Sequence, residues 1–114
     1  MRLKSDIFVS AIVRRVFSLG GYAAILHRGA DEAGAIFIRQ RRRSGLETLY
    51  APAPQSFFDE DKPMGRLFEP RLEQVESDQV SAALERERRF DPDCWIVEIE
   101  IDERGDLFDL AEDR

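Results

Sequence analysis

Near the start of the chain, apolar residues recur at helical spacing, and no other pattern in the sequence limits the fold as strongly. The residues in this pattern are Ile7, Phe8, Ala11, Ile12 and Val16. Ser5 and Asp6 favour a helix start, because a hydroxyl can cap it and an acid stabilises its positive end. The glycine pair at 20–21 favours its end. The pattern therefore predicts an amphipathic helix that buries one face.

The rest of the chain predicts a sheet and a second helix. Strands are expected at residues 22–27, 33–42, 46–51 and 94–101, and a helix at 77–90. The continuous apolar run Ile36-Phe37-Ile38 indicates a strand that is buried on both faces. The predicted fold class is α+β, in the order α-β-β-β-loop-α-β. It has a mostly antiparallel sheet of four to five strands, with both helices on one face.

We predict one domain at residues 1–101, followed by an acidic, flexible tail at residues 102–114. The tail contains the apolar residues Leu107, Phe108 and Leu110 among acids. They form either a last strand on the core or a short motif that folds onto a partner.

Several short blocks of the sequence resemble one small bacterial family. The blocks are Arg2-Leu3-Lys4-Ser5, Val9-Ser10-Ala11, Arg14-Arg15, Gly34-Ala35-Ile36-Phe37-Ile38-Arg39, Ala53-Pro54-Gln55-Ser56-Phe57-Phe58 and Phe90-Asp91-Pro92-Asp93 with Trp95. The chain is similar over residues 2–101 to the group named domain of unknown function 1491. The resemblance implies no activity, substrate or catalytic residue.

The charge is distributed unevenly along the chain. Residues 1–43 hold nine Lys or Arg and three Asp or Glu, whereas residues 44–114 hold eight and twenty, which gives the net charge of −6. Such a split marks either a surface for an anionic partner or two halves that neutralise each other inside one domain.

The single cysteine, Cys94, cannot form an internal disulfide, which is typical of a reducing compartment. The uncharged run Ile7–Val13 is too short to span a bilayer. The sequence therefore predicts a cytoplasmic protein without a membrane partner, and it leaves the oligomeric state open.

Few residues favour catalysis. One histidine, His27, and one cysteine are too few for the usual zinc sites, and we expect no Cys–His nucleophile and no cofactor. Asp59 and Asp61 are weak candidate ligands for magnesium or calcium in a metal-assisted enzyme. A protein without enzymatic activity is the favoured interpretation.

The loop after the third strand is the first candidate contact surface. Pro54 stiffens it, and Gln55, Phe57 and Phe58 follow, with acids next to them. Exposed aromatic side chains on a rigid loop are typical of protein interfaces. This loop, with the sheet edge, predicts a protein-interaction or adaptor domain with a protein partner; the alternative is that both phenylalanines cover the core.

The second candidate surface is an arginine-rich hairpin. A two-residue turn at Ser44–Gly45 would place Arg39 opposite Tyr50, and Arg39, Arg41 and Arg43 would then share one face. Such a row beside an aromatic ring can bind a phosphate backbone and stack a base of RNA or DNA. The alternatives are a charged edge that discourages aggregation, or pairing with the acidic half.

Overall fold

The computed structural model describes residues 3–54 and 65–111, and it has two helices and six strands. The elements are α1 (Ser5–Ser18), β1 (Tyr22–His27), β2 (Ile36–Arg41), β3 (Glu47–Pro52), β4 (Leu67–Val75), α2 (Ser77–Phe90), β5 (Trp95–Glu100) and β6 (Asp109–Leu110). The α+β class is confirmed. Neither helix is long and apolar enough to cross a membrane.

The sheet is mixed, with the strand order β1-β5-β2-β3-β4-β6. β1–β5, β2–β3 and β3–β4 pair antiparallel, whereas β2–β5 and β4–β6 pair parallel. The prediction of a mostly antiparallel sheet with four to five strands is therefore wrong in part. The chain from β4 through α2 returns to β5 at the far side of β2, and this crossover makes the central pair parallel.

The two helices lie on opposite faces of the sheet, so the prediction of one helical face is wrong. Phe8, Val9, Ile12 and Val16 of α1 pack with Ile36, Ile38, Tyr50, Trp95, Val97 and Ile99. Val80, Ala83 and Leu84 of α2 pack with Phe37, Leu49, Ala51, Cys94 and Ile96. The central strands therefore need apolar residues on both faces, as the run Ile36-Phe37-Ile38 predicts.

Ser5 begins α1 as predicted, but its side chain does not cap the helix. The N-cap residue is Lys4, and it makes no side-chain capping bond. The buried Ser5 hydroxyl donates to the Gly34 carbonyl oxygen at 2.6 Å and accepts from Arg66 at 2.9 Å. The Ser5 hydroxyl therefore links the start of α1 to Gly34, which precedes β2, and to Arg66, which precedes β4.

The hairpin between β2 and β3 differs from the prediction by one residue. The Gly45 N–H donates to the Arg42 carbonyl, and the Arg42 N–H donates to the Leu46 carbonyl, so the loop has three residues. Gly45 has a φ of +90°, which a glycine adopts without strain. The register places Ile38 opposite Tyr50 and Arg39 opposite Leu49.

Most of the described part of the acidic tail is attached to the domain. Leu107, Phe108 and Leu110 are buried in the α1 core, and β6 pairs with β4. As far as Ala111, the structure thus contains the last strand on the core that the sequence left open as one alternative for these residues. The apolar residues account for this, since their burial stabilises the attachment.

Candidate functional site

Arg39 lies in a buried charge network and not on an open surface. Its Nη2 and Nε donate to Glu47 Oε1 at 2.5 Å and 2.9 Å. It also donates to the Ser81 hydroxyl at 3.2 Å and the Ser77 carbonyl at 3.3 Å, so it fastens the hairpin to α2. The side chain is 12% exposed, which leaves little of it accessible to a phosphate.

The other two arginines of the predicted row, Arg41 and Arg43, are more exposed, and each has an acidic partner. Arg41 Nε lies 3.5 Å from Glu47 Oε2, the oxygen that Arg39 does not use. Arg43 is 94% exposed, with its Nε 3.6 Å from Asp102 Oδ2, and its backbone N–H donates to Asp102 Oδ1.

Tyr50 lies on the opposite face of the sheet from Arg39, because the register is shifted by one residue. Its ring is buried against Phe108, with 5.0 Å between centroids, and its hydroxyl donates to Gln40 Oε1 at 3.2 Å. The structure therefore does not bring Arg39, Arg41, Arg43 and Tyr50 together on one surface.

Ion pairs join the basic and acidic halves of the chain. Among the residues that the structure describes, four pairs cross between the halves: Arg15–Asp106, Arg39–Glu47, Arg41–Glu47 and Arg43–Asp102. The charge split is thus partly neutralised inside the domain, which is one of the two interpretations that the sequence leaves open.

A cleft of about 630 Å³ lies between the end of α1, the hairpin and the segment after β5. Arg41, Arg42, Arg43 and Arg104 line it together with Glu100, Asp102, Glu103 and Asp106. The hydrogen bond from Arg15, together with its charge, holds the pKa of the exposed Asp106 carboxyl below its ordinary value. The cleft thus has equal numbers of lining cations and anions, and it does not select a ligand of one sign.

Cys94 and His27 are close in the fold but do not form a nucleophilic pair. His27 Nδ1 lies 2.7 Å from the backbone carbonyl oxygen of Cys94, not from the thiol. The thiol is buried, and burial raises its pKa, which disfavours the reactive thiolate.

Several predicted site residues lie outside the described part of the chain. They are Gln55, Phe57, Phe58, Asp59 and Asp61. Pro54 is exposed at the boundary. Within residues 3–54 and 65–111, no group of three or more His, Cys, Asp or Glu side chains is placed to hold a metal ion.

A further surface follows the β1 edge of the sheet. Large apolar side chains are exposed at Phe17, Tyr22 and Leu26, and the rings of Phe17 and Tyr22 meet edge to face at 5.7 Å. We call these three residues, with the edge of β1 that pairs with no strand of the described part of the chain, the β1 edge surface. This surface could not be predicted from the sequence, because local sequence patterns do not reveal which strand lies at the edge of a sheet.

The β1 edge has few of the features that protect edge strands from pairing. Its sequence, Tyr-Ala-Ala-Ile-Leu-His, contains no Lys, Asp, Glu, Arg or Pro. A bulge between Ile25 and His27 interrupts its pairing with β5, so Tyr22–Ile25 is the regular part. On the opposite side, β6 is only two residues long and covers only Leu67 and Phe68 of β4, so the rest of β4 is also an edge. That edge contains the charged residues Glu69, Arg71 and Glu73 and the proline Pro70, which discourage pairing, whereas the β1 edge contains none of these residue types.

The fold and its exposed edge define a small α+β domain in a three-layer arrangement. The chain belongs to the family described as protein of unknown function (DUF1491), whose pattern matches residues 3–109. This confirms the resemblance seen in the sequence. No curated protein matches the chain significantly.

Solved structures from two bacteria are similar to this fold. The solution structure of a protein from A. tumefaciens is 58% identical, with a TM-score of 0.86, covering 97% of this chain and 96% of that one. The crystal structure of a DUF1491 family protein from Caulobacter crescentus CB15 is 29% identical, with a TM-score of 0.77, covering 95% and 94%. An NMR structure of a DUF1491 family protein from the same organism is 31% identical, with a TM-score of 0.74, covering 92% and 90%.

Proposed function

We propose that the protein is an interaction domain without enzymatic activity, and that it binds a partner protein through the β1 edge surface. The single observation that carries this proposal is the six-residue uncharged edge strand beside exposed Phe17 and Tyr22. An edge strand offers unpaired backbone donors and acceptors, and a partner strand can pair with them.

The aromatic pair supports the same surface. Phe17 is 51% exposed and Tyr22 is 50% exposed, although each ring already covers part of the other. Aromatic side chains contribute much of the binding energy at protein interfaces, because a partner removes a large apolar area from water. The β1 edge surface therefore combines backbone pairing with side-chain anchors.

The proposal takes the cytoplasm as the place of action. It is supported by the lone Cys94, which is buried and free, as expected in a reducing compartment. A nucleic-acid-binding hairpin has weaker support, because Tyr50 is buried and lies on the opposite face of the sheet from Arg39, whose side chain is only 12% exposed.

Site-specific photo-cross-linking in host cells tests the proposed function. A benzophenone amino acid at Tyr22 is expected to give a discrete adduct with another protein. The same amino acid at Ile7, which is 49% exposed on α1, is the matched control and is expected to give none. The change Leu26→Lys, which adds a charge to the edge, is expected to abolish the Tyr22 adduct while circular dichroism stays unchanged. Equal adducts from Tyr22 and Ile7, or none from Tyr22, would contradict the proposal.

A further inference from the structure

We infer that the partner presents an extended segment with basic residues at alternate positions, which joins the sheet beside β1 as a seventh strand. This inference rests on the proposed function and names the chemistry of the partner. The observation behind it is the arrangement of charges on β5, β2 and β3, the three strands that follow β1 in the sheet.

Five charged side chains share the α2 face of the sheet beside the edge. The register aligns Glu98 with Arg39 and Glu100 with Arg41 across β5 and β2, and Glu47 with Arg41 across β2 and β3. These are two cations and three anions. These five side chains by themselves have one excess negative charge, although Glu100 also lines the cleft that contains Arg42, Arg43 and Arg104.

Arg39 and Arg41 both form ion pairs with Glu47. Arg39 and Arg41 lie 2.5 Å and 3.5 Å from its two carboxylate oxygens. Within residues 3–54 and 65–111, Glu98 and Glu100 make no ion pair and no side-chain hydrogen bond. The unpaired negative charge thus lies on β5, directly next to β1.

The edge strand leaves a path from an incoming strand to these carboxylates. Glu98 is aligned with Ala24 and Glu100 with Tyr22, on the same face. A strand added beside β1 would lie about 10 Å from β5, since neighbouring strands are separated by about 4.8 Å. A lysine or arginine side chain aligned with Ala24 could pass over its methyl group towards Glu98. The next basic residue, two positions along, would be aligned with Tyr22 and would have to extend past its ring towards Glu100.

A segment with basic residues at alternate positions also fits a β-strand, in which successive side chains point to opposite faces of the sheet. Its apolar residues would face the α1 side of the sheet, on which Ala23 and Ile25 lie. A second copy of this chain would instead bring an uncharged β1 and two more carboxylates to the shared edge. Charge complementarity therefore favours a basic partner over self-association.

Peptide binding tests the inference. The probes are labelled eight-residue peptides in which lysine, glutamate or serine alternates with valine, measured by fluorescence anisotropy with the full chain. We expect the lysine peptide to bind at least about tenfold more tightly than the glutamate peptide at low salt. The double variant Glu98→Gln, Glu100→Gln is expected to reduce this preference to about twofold or less. The exposed pair Glu73→Gln, Glu103→Gln is the matched control and is expected to preserve it.

Backbone methylation tests whether the peptide pairs as a strand. N-methylation of one set of alternate peptide amides is expected to abolish binding, and methylation of the other set is expected to leave it unchanged. Equal binding of the lysine and glutamate peptides, with this methylation pattern intact, would overturn the basic preference and leave the proposed edge function standing. Absence of peptide binding would overturn the inference. So would a dimer in sedimentation equilibrium that Tyr22→Glu dissociates, because a second copy would then occupy the edge.

Discussion

The Glu47→Ala variant is expected to lower the free energy of unfolding by about 3–5 kcal/mol, because it leaves a buried cation without its counterion. The Glu47 side chain is 2% exposed and accepts two hydrogen bonds from Arg39, which is itself largely buried. Among the residues that the structure describes, its removal would leave the guanidinium with the Ser77 carbonyl and the Ser81 hydroxyl as its only hydrogen-bond acceptors.

Urea unfolding followed by circular dichroism measures this effect. The double variant Arg39→Met, Glu47→Leu is expected to recover most of the lost stability, since it removes both charges together. Arg43→Ala is the control for loss of an exposed arginine and is expected to change stability by less than about 1 kcal/mol. A Glu47→Ala loss below about 1 kcal/mol, the range of exposed ion pairs, would contradict the buried network.

The Gly29→Ala variant is expected to destabilise the fold by about 3 kcal/mol, the upper end of the usual cost of overpacking, because the added methyl group meets backbone atoms. A Cβ at Gly29 would lie 2.1 Å from the Asp93 carbonyl oxygen and 2.6 Å from the Cys94 carbonyl carbon and oxygen. The neighbouring Ala30 N–H donates to the same Asp93 oxygen, and its carbonyl accepts from Trp95 Nε1 at 2.7 Å. These bonds would have to shift to make room.

Thermal and urea unfolding of the variant check this expectation. Gly105→Ala is the matched control. The φ of Gly105 is +55°, but apart from its chain neighbours no atom of the described residues lies within 4 Å of an added Cβ, so only backbone strain of about 1–2 kcal/mol is expected. A Gly29→Ala variant as stable as Gly105→Ala would show that the segments around Gly29 and Asp93 do not pack as described.

The parts of the fold set by local signals could be predicted from the sequence. α2 spans Ser77–Phe90 and β1 spans Tyr22–His27, the ranges predicted from caps, breakers and apolar spacing. These signals lie within a few residues of the element that they define. The boundaries of β2, β3 and β5 differ from the prediction by one to three residues, where turns compete with strand pairing.

The parts set by distant contacts could not be predicted. The parallel pairing of β2 with β5 joins residues about 60 positions apart, such as Ile38 and Val97. The full nine-residue length of β4 could not be predicted, because Glu69, Pro70 and Arg71 obscure the alternation of a strand. The hairpin loop after Arg42 also has three residues instead of the two predicted. This shifts the register by one residue and places Tyr50 on the opposite face of the sheet from Arg39.

The candidate site also depends on contacts between distant segments, which could not be predicted from the sequence. The arginine row is visible in the sequence, but its acidic partners Glu47 and Asp102 come from other segments. The β1 edge becomes apparent only when the strand order places β1 at the margin of the sheet. Exposed apolar residues are informative once their neighbours are known, since a sequence does not distinguish Tyr22 from a buried tyrosine such as Tyr50.

The central claim is that β1 receives a partner strand, and amide hydrogen exchange tests it most directly. The isotope-labelled chain is measured by NMR with and without a saturating amount of the lysine–valine peptide. We predict that outward-facing amides within Tyr22–His27 exchange at least about tenfold more slowly with peptide, because new strand hydrogen bonds protect them, while Asp109 and Leu110 at the other edge are unchanged. Protection at β6 or elsewhere without protection in β1 would contradict the claim.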